Sequence, residues 1–119
     1  MHSFLYPDLP DLPKNPDTLH VAPDKSIGIE EVRQIQHFLS RKPISGKNTV
    51  VIHQAHLLTL PAQHALLKTL EEPPGNSEIY LVTRYPDSLL PTILSRVQIQ
   101  TVVIPSVVEE SLFPLIKSL

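Results

Sequence analysis

Apolar residues along this chain switch between two spacings, and the switches divide it into elements. Between Ile29 and Leu39 they fall at Ile29, Val32, Ile35, Phe38 and Leu39, the three-and-four spacing of a helix with one apolar face. Glu30 and Glu31 in its first turn and Arg41-Lys42 near its last suit the helix dipole, and Pro43 ends it. Thr49-Val50-Val51-Ile52 is a continuous apolar run of strand type. A second helix is predicted to start at Thr59, whose hydroxyl can accept from a first-turn amide, with Pro61 tolerated just inside. Ala62, Leu66 and Leu70, flanked by Ala65 and Thr69, give it one face to lay on a sheet. Glu71 and Glu72 close it with the wrong sign for a helix C-terminus and read as solvated carboxylates.

Pro73-Pro74-Gly75-Asn76 then turn the chain into a strand over 78–83. Ser88 is the expected cap of a short helix reaching Leu94, and 97–104 alternates as a further strand. Thr18-Leu19-His20-Val21 reads as a short strand closed by Ala22-Pro23, and residues 109–119 as a last short helix interrupted by Pro114. Strand and helix in alternation predict an α/β fold, a parallel sheet with crossover helices in three layers.

Proline is frequent, at 13 residues against 3 glycines, and it crowds the start of the chain. Pro7, Pro10, Pro13 and Pro16 stand three apart, where fixed φ and missing donors predict an extended arm over 1–17 ahead of a domain over 18–119. With 119 residues and 41% apolar content, one small domain can bury a modest core. A net charge of -2 with both signs mixed gives no global pull toward nucleic acid or membrane, so DNA contact is expected only indirectly. The absence of cysteine excludes disulfides and thiolate zinc sites. The opening residues have no basic stretch followed by an apolar one, and no apolar run nears the roughly 20 residues of a membrane span. A cytoplasmic protein without membrane partners is the expectation.

Candidate chemistry is sparse. A phosphate-cradling G-x-x-x-x-G-K-[ST] loop is absent. Gly46-Lys47 matches it only superficially, because Asn48 follows the lysine and Arg41 stands where the first glycine belongs. His53 and His56 have H-x-x-H spacing and His64 lies eight residues on, but no neighbouring carboxylate completes a zinc motif. These histidines read better as ordinary polar residues at a sheet edge, and neither metal nor cofactor is expected.

Certain words in the chain are specific. Ala65–Pro74 (ALLKTLEEPP), Leu81-Val82-Thr83 and Leu89–Arg96 (LLPTILSR), with Ser26–Ile35 (SIGIEEVRQI) before them, resemble the clamp-loader AAA+ ATPase modules of bacterial DNA polymerase III. The resemblance covers about Ser26 to Gln98 and implies a partial P-loop NTPase core lacking the first strand, its P-loop and the following helix. The missing strand would sit between those matching 79–83 and 97–104. Either these two pair directly, or the Phe4-Leu5-Tyr6 segment or a second chain fills the place.

What the resemblance implies for sites follows residue by residue. Family members carry an Asp-Glu pair after the strand matching 49–52, the Asp holding Mg²⁺ and the Glu polarising water. Here His53 and Gln54 stand there; imidazole is a poor ligand for a cation that demands oxygen donors, and an amide is no base. Thr83 occupies the sensor position. Leu94-Ser95-Arg96 matches the Ser-Arg-Cys motif whose arginine reaches a neighbouring subunit's ATP, with Val97 in place of the cysteine. A guanidinium suits that task through its permanent charge and planar fork. The competing reading of Arg96 is a helix-end residue paired with a carbonyl.

These observations imply a non-enzyme: a non-hydrolysing clamp-loader subunit that works as an interaction module among homologous ATPase subunits and donates Arg96. The alternative is a free-standing homo-oligomeric scaffold without replication partners.

Overall fold

The computed structural model describes residues 2–100. The expected strand beyond 100 and the helix over 109–119 lie outside the described residues. Ten short elements follow one another: β1 (Ser3–Tyr6), β2 (Thr18–Val21), α1 (Ile29–Ser40), β3 (Asn48–Ile52), a 3-10 turn (Ala55–Leu57), α2 (Leu60–Glu71), β4 (Ser77–Val82), a second 3-10 turn (Pro86–Ser88), α3 (Pro91–Leu94) and β5 (Gln98–Ile99). The strands form one sheet in the order β2-β3-β4-β1-β5, and every pairing is parallel.

The sheet has no gap. Ser3–Tyr6 lies between β4 and β5, with Leu5 opposite Leu81 on one side and Ile99 on the other. The strand expected to be missing is therefore supplied from within the segment read as an arm, and only the residues after Tyr6 keep that character. Leu5, flanked on both sides, is 3% exposed.

Handedness decides which face each connection covers. Strands joined by right-handed crossovers that step in one direction put their helices on one face. The steps β2 to β3, β3 to β4 and β4 to β5 share a direction, so α1, α2 and α3 lie together and bury Val32, Ile35, Leu39, Ala62, Leu66, Leu70 and Ile93 against Val50, Ile52, Ile79 and Leu81. The step from β1 to β2 runs the other way and must cross the opposite face. Residues 9–16 of this connection roof a cavity of about 890 Å³ floored by Thr18, His20, Thr49, Glu78 and Tyr80. The third layer of the α/β sandwich is thus a proline-rich strap in place of a helix.

Lengths explain why the strap is extended. Crossing three strand spacings and returning along a four-residue strand needs about 19 Å. Eleven residues coiled as a helix reach only about 16 Å, whereas extended they reach up to about 36–40 Å. Prolines hold the chain in a form that spans the distance with room to spare.

The strap is pinned at its far end. Asn15 donates to Lys47 O (3.0 Å) and Thr49 Oγ1 (3.1 Å), and Asp17 takes Arg41 Nη2 (2.9 Å) and both the amide and hydroxyl of Ser45 (2.7 Å each). Asp17 is 1% exposed. Ser45's hydroxyl and amide, and after them Arg41, hold its carboxyl below the ordinary value of 3.8, against the opposing effect of burial. Arg41 is the C-cap of α1, as expected near its C-terminus, and its guanidinium lies over the Phe38 ring (4.3 Å) on its way to Asp17. Ile29, expected on the buried face, is 38% exposed at the first position of α1.

Local signals account for the helix starts, with one exception. Glu31 Oε1 accepts from Gly28 N (2.8 Å) at the head of α1, and Thr59 Oγ1 accepts from Ala62 N (3.3 Å) at the head of α2. Ser88 does not cap α3, whose N-cap is Leu90 with no side-chain bond. Gln63 takes over: 4% exposed, it donates to Leu58 O and Ser88 O (3.2 Å each) and accepts from Leu90 N (2.7 Å).

Candidate functional site

Ligands of open parallel sheets sit outside the carboxyl ends of the strands. At that edge β1 gives way to Pro7, and Pro10 follows; proline has no N–H, so the turn lacks the consecutive donors a phosphate cradle requires. Asp8 occupies the mouth of this edge instead. Its carboxylate accepts from Arg84 Nε (3.1 Å) and Nη2 (2.8 Å to each oxygen), joining the end of β1 to the end of β4. The cation nearest the sensor position is thereby already neutralised by the chain itself.

The expected site residues stand around this edge. His53 N donates to Val21 O (2.8 Å), and His53 Nε2 lies 2.9 Å from His20 Nδ1. The ring planes differ by 21° with centroids 5.2 Å apart, the separation of two imidazoles joined nitrogen to nitrogen in line. At that separation one nitrogen donates and the other accepts, which one depending on the tautomer. Burial, and then the neighbouring His20, push the His53 imidazole below its ordinary 6.5. Gln54 is exposed in a left-handed turn (φ 52°) and leads the chain away from the edge.

Thr83 is 5% exposed, and its hydroxyl is fully engaged. It accepts from Tyr85 N (2.9 Å) and pairs with His56 Nδ1 (2.9 Å), while the Thr83 amide donates to Tyr6 O (3.0 Å). The His56 ring in turn meets Tyr85 edge-on at 5.0 Å. His64 is exposed on α2, so the three histidines occupy three separate settings. Among the described residues no three His, Cys, Asp or Glu side chains converge.

Gly46-Lys47 lies at the other end of the sheet, leading into β3. Gly46 takes φ 96°, which favours glycine, and Lys47 pairs with Glu78 (3.1 Å). Arg96 is also at this amino edge, two residues before β5, whose Gln98 is level with Phe4. Its Nη2 meets Glu71 Oε2 at 2.8 Å, and its Nη1 lies 3.3 Å from Thr92 O and 3.1 Å from Ser95 Oγ. The side chain is 37% exposed, and that of Glu71 43%. Arg96 touches a helix carbonyl, and it stays at the surface. Glu71, read as solvated, is its ion partner.

Comparison with known proteins adds to this geometry. Residues 11–105 match the family model described as DNA polymerase III, delta subunit. The chain belongs to this family. It is 41% identical over 86 residues to the DNA polymerase III subunit delta' of Escherichia coli, covering 69% of this chain and 26% of that protein. The Haemophilus influenzae subunit of the same name is 39% identical over 107 residues, covering 87% of this chain and 32% of its own length. A solved structure of a DNA polymerase III gamma subunit-related protein from Thermotoga maritima superposes with a TM-score of 0.75 at 32% identity, over 98% of this chain and 49% of that one. The chain thus spans a quarter to a third of these curated relatives.

Several residues of this delta-family chain escape sequence reasoning. Asp8 and Arg84 are 76 positions apart, and nothing local pairs them. Gln63 was detectable as a polar residue amid the apolar face of α2. Asn15-Pro16-Asp17 carries Asx-turn chemistry, which marks an anchored turn and not a free arm. Among the described residues, no helix is long and apolar enough to cross a membrane.

Proposed function

We propose that this chain acts in bacterial DNA replication as a non-hydrolysing, delta-prime-like clamp-loader subunit, assembling with homologous ATPase subunits and lending Arg96 to a neighbour's ATP. The observation that carries this reading is the separation of the two edges. Where its own nucleotide would sit, the chain has prolines, an Asp8–Arg84 pair and His53-Gln54. Arg96 stands at the opposite edge, at the surface, where a phosphate bound by this chain is out of reach and one bound by another chain is not. Contact with DNA is indirect in this account, consistent with a net charge of -2.

The test is reconstitution with a gamma/tau-type ATPase subunit. Arg96→Ala should lower the complex's ATPase by at least about tenfold, since a lost phosphate contact raises the barrier by more than about 1.4 kcal/mol, and arginine fingers reach ~10³–10⁵. The variant should melt within a degree or two of the parent. Unchanged hydrolysis with lowered stability would assign Arg96 to the helix end. A chain that binds only copies of itself would favour the homo-oligomeric scaffold.

A further inference from the structure

Glu71 sits where its own helix disfavours it. It is the last residue of α2, at the negative end of the dipole, and Glu72 adds a like charge beside it. The carboxylate is compensated from another element, through Arg96 Nη2 at 2.8 Å. The α3 turn supplies the other restraints, with Thr92 O and Ser95 Oγ on Nη1. An arginine has five donors. Three acceptors on two elements fix the plane of this one, and among the described residues nothing accepts from Nε. A long side chain that would otherwise sample many rotamers is held while 37% of it stays exposed.

We propose that Glu71 is a positioning residue for Arg96, pre-setting the guanidinium for a triphosphate on a second chain. This rests on the trans reading above. Prior ordering of Arg96 lowers the entropy to be lost when the phosphate arrives, and thus acts on the rate step more than on nucleotide affinity.

The experiment measures kcat and KM for ATP of the reconstituted ATPase complex with Glu71→Ala, Glu71→Asp, Arg96→Ala and the double variant. Glu71→Ala should lower kcat about two- to fivefold, equivalent to ~0.4–1 kcal/mol at about 1.36 kcal/mol per tenfold, with KM unchanged. Glu71→Asp should recover part of that loss. The double variant should be no slower than Arg96→Ala alone. If Arg96→Ala slows the complex while Glu71→Ala has parental kcat, positioning is refuted and the trans reading survives. A faster Glu71→Ala complex would make the carboxylate a restraint and overturn the proposal, as would an additive loss in the double variant. An inert Arg96→Ala removes the trans reading and this inference with it.

Discussion

The two ends of the sheet treat charge in opposite ways. At the carboxyl edge charged and polar groups are engaged inside the chain: Asp8 by Arg84, Thr83 by His56 and Tyr85, His53 by His20. At the amino edge Arg96 is restrained but still reaches the surface. In a sheet whose chemistry normally gathers at the carboxyl ends, the difference teaches that one edge can be tied up by the chain's own side chains while the fold stays intact. A strap of prolines covers one face where a helix would be expected, and an ion pair and hydrogen bonds link the strand ends.

Breaking what both edges share should have the largest effect. Leu66 and Leu70, 0% and 6% exposed, join α2 to the sheet. Leu66→Ala and Leu70→Ala should each cost about 2–5 kcal/mol through lost burial and residual cavities. Chemical denaturation will read this, and losses below about 1 kcal/mol would mean the helix is turned wrongly.

Acid should separate the edges next. The folded state holds the His53 pKa below 6.5, so the unfolded chain binds more protons as pH falls from 6.5 toward the folded value. That stability is fully present above 6.5 and is lost across this window. Asp17, held below 3.8, gives a second loss only in stronger acid, as pH falls through its folded value. His53→Gln should flatten the first step in a pH series of melts and leave the second. A first step unchanged in His53→Gln would place the titration elsewhere.

The smallest effect belongs to Asp8→Ala. The Asp8 and Arg84 side chains are 58% and 68% exposed, and an exposed pair contributes about 0–1 kcal/mol. A melt lowered by much more would show that this pair braces β1, and not merely that it closes the edge.

Much of the fold was legible because it is written locally. The helical spacing of Val32, Ile35 and Leu39, and of Ala62, Leu66 and Leu70, selects the faces that are in fact buried. The Thr59 cap and the apolar run of β3 are equally local. β1 was legible only as one candidate, Phe4-Leu5-Tyr6, for the vacant place in the sheet: four residues before a proline carry no alternation, and their partners Ile79–Val82 lie 76 positions away. The site divides in the same way. Motif words located His53, Gln54, Thr83 and Arg96, yet what each touches depends on pairings such as Glu71–Arg96 and His56–Thr83 that no window of sequence contains. Glu71 did show half the signal, a charge of the wrong sign at a helix end; its compensation came from another element.

The central claim is that the carboxyl edge is closed to nucleotide while the sheet stays intact. Isothermal titration of the folded chain with Mg-ATP tests it most directly. The account predicts no saturable heat. A dissociation constant below about 100 µM, roughly -5.5 kcal/mol, would contradict it.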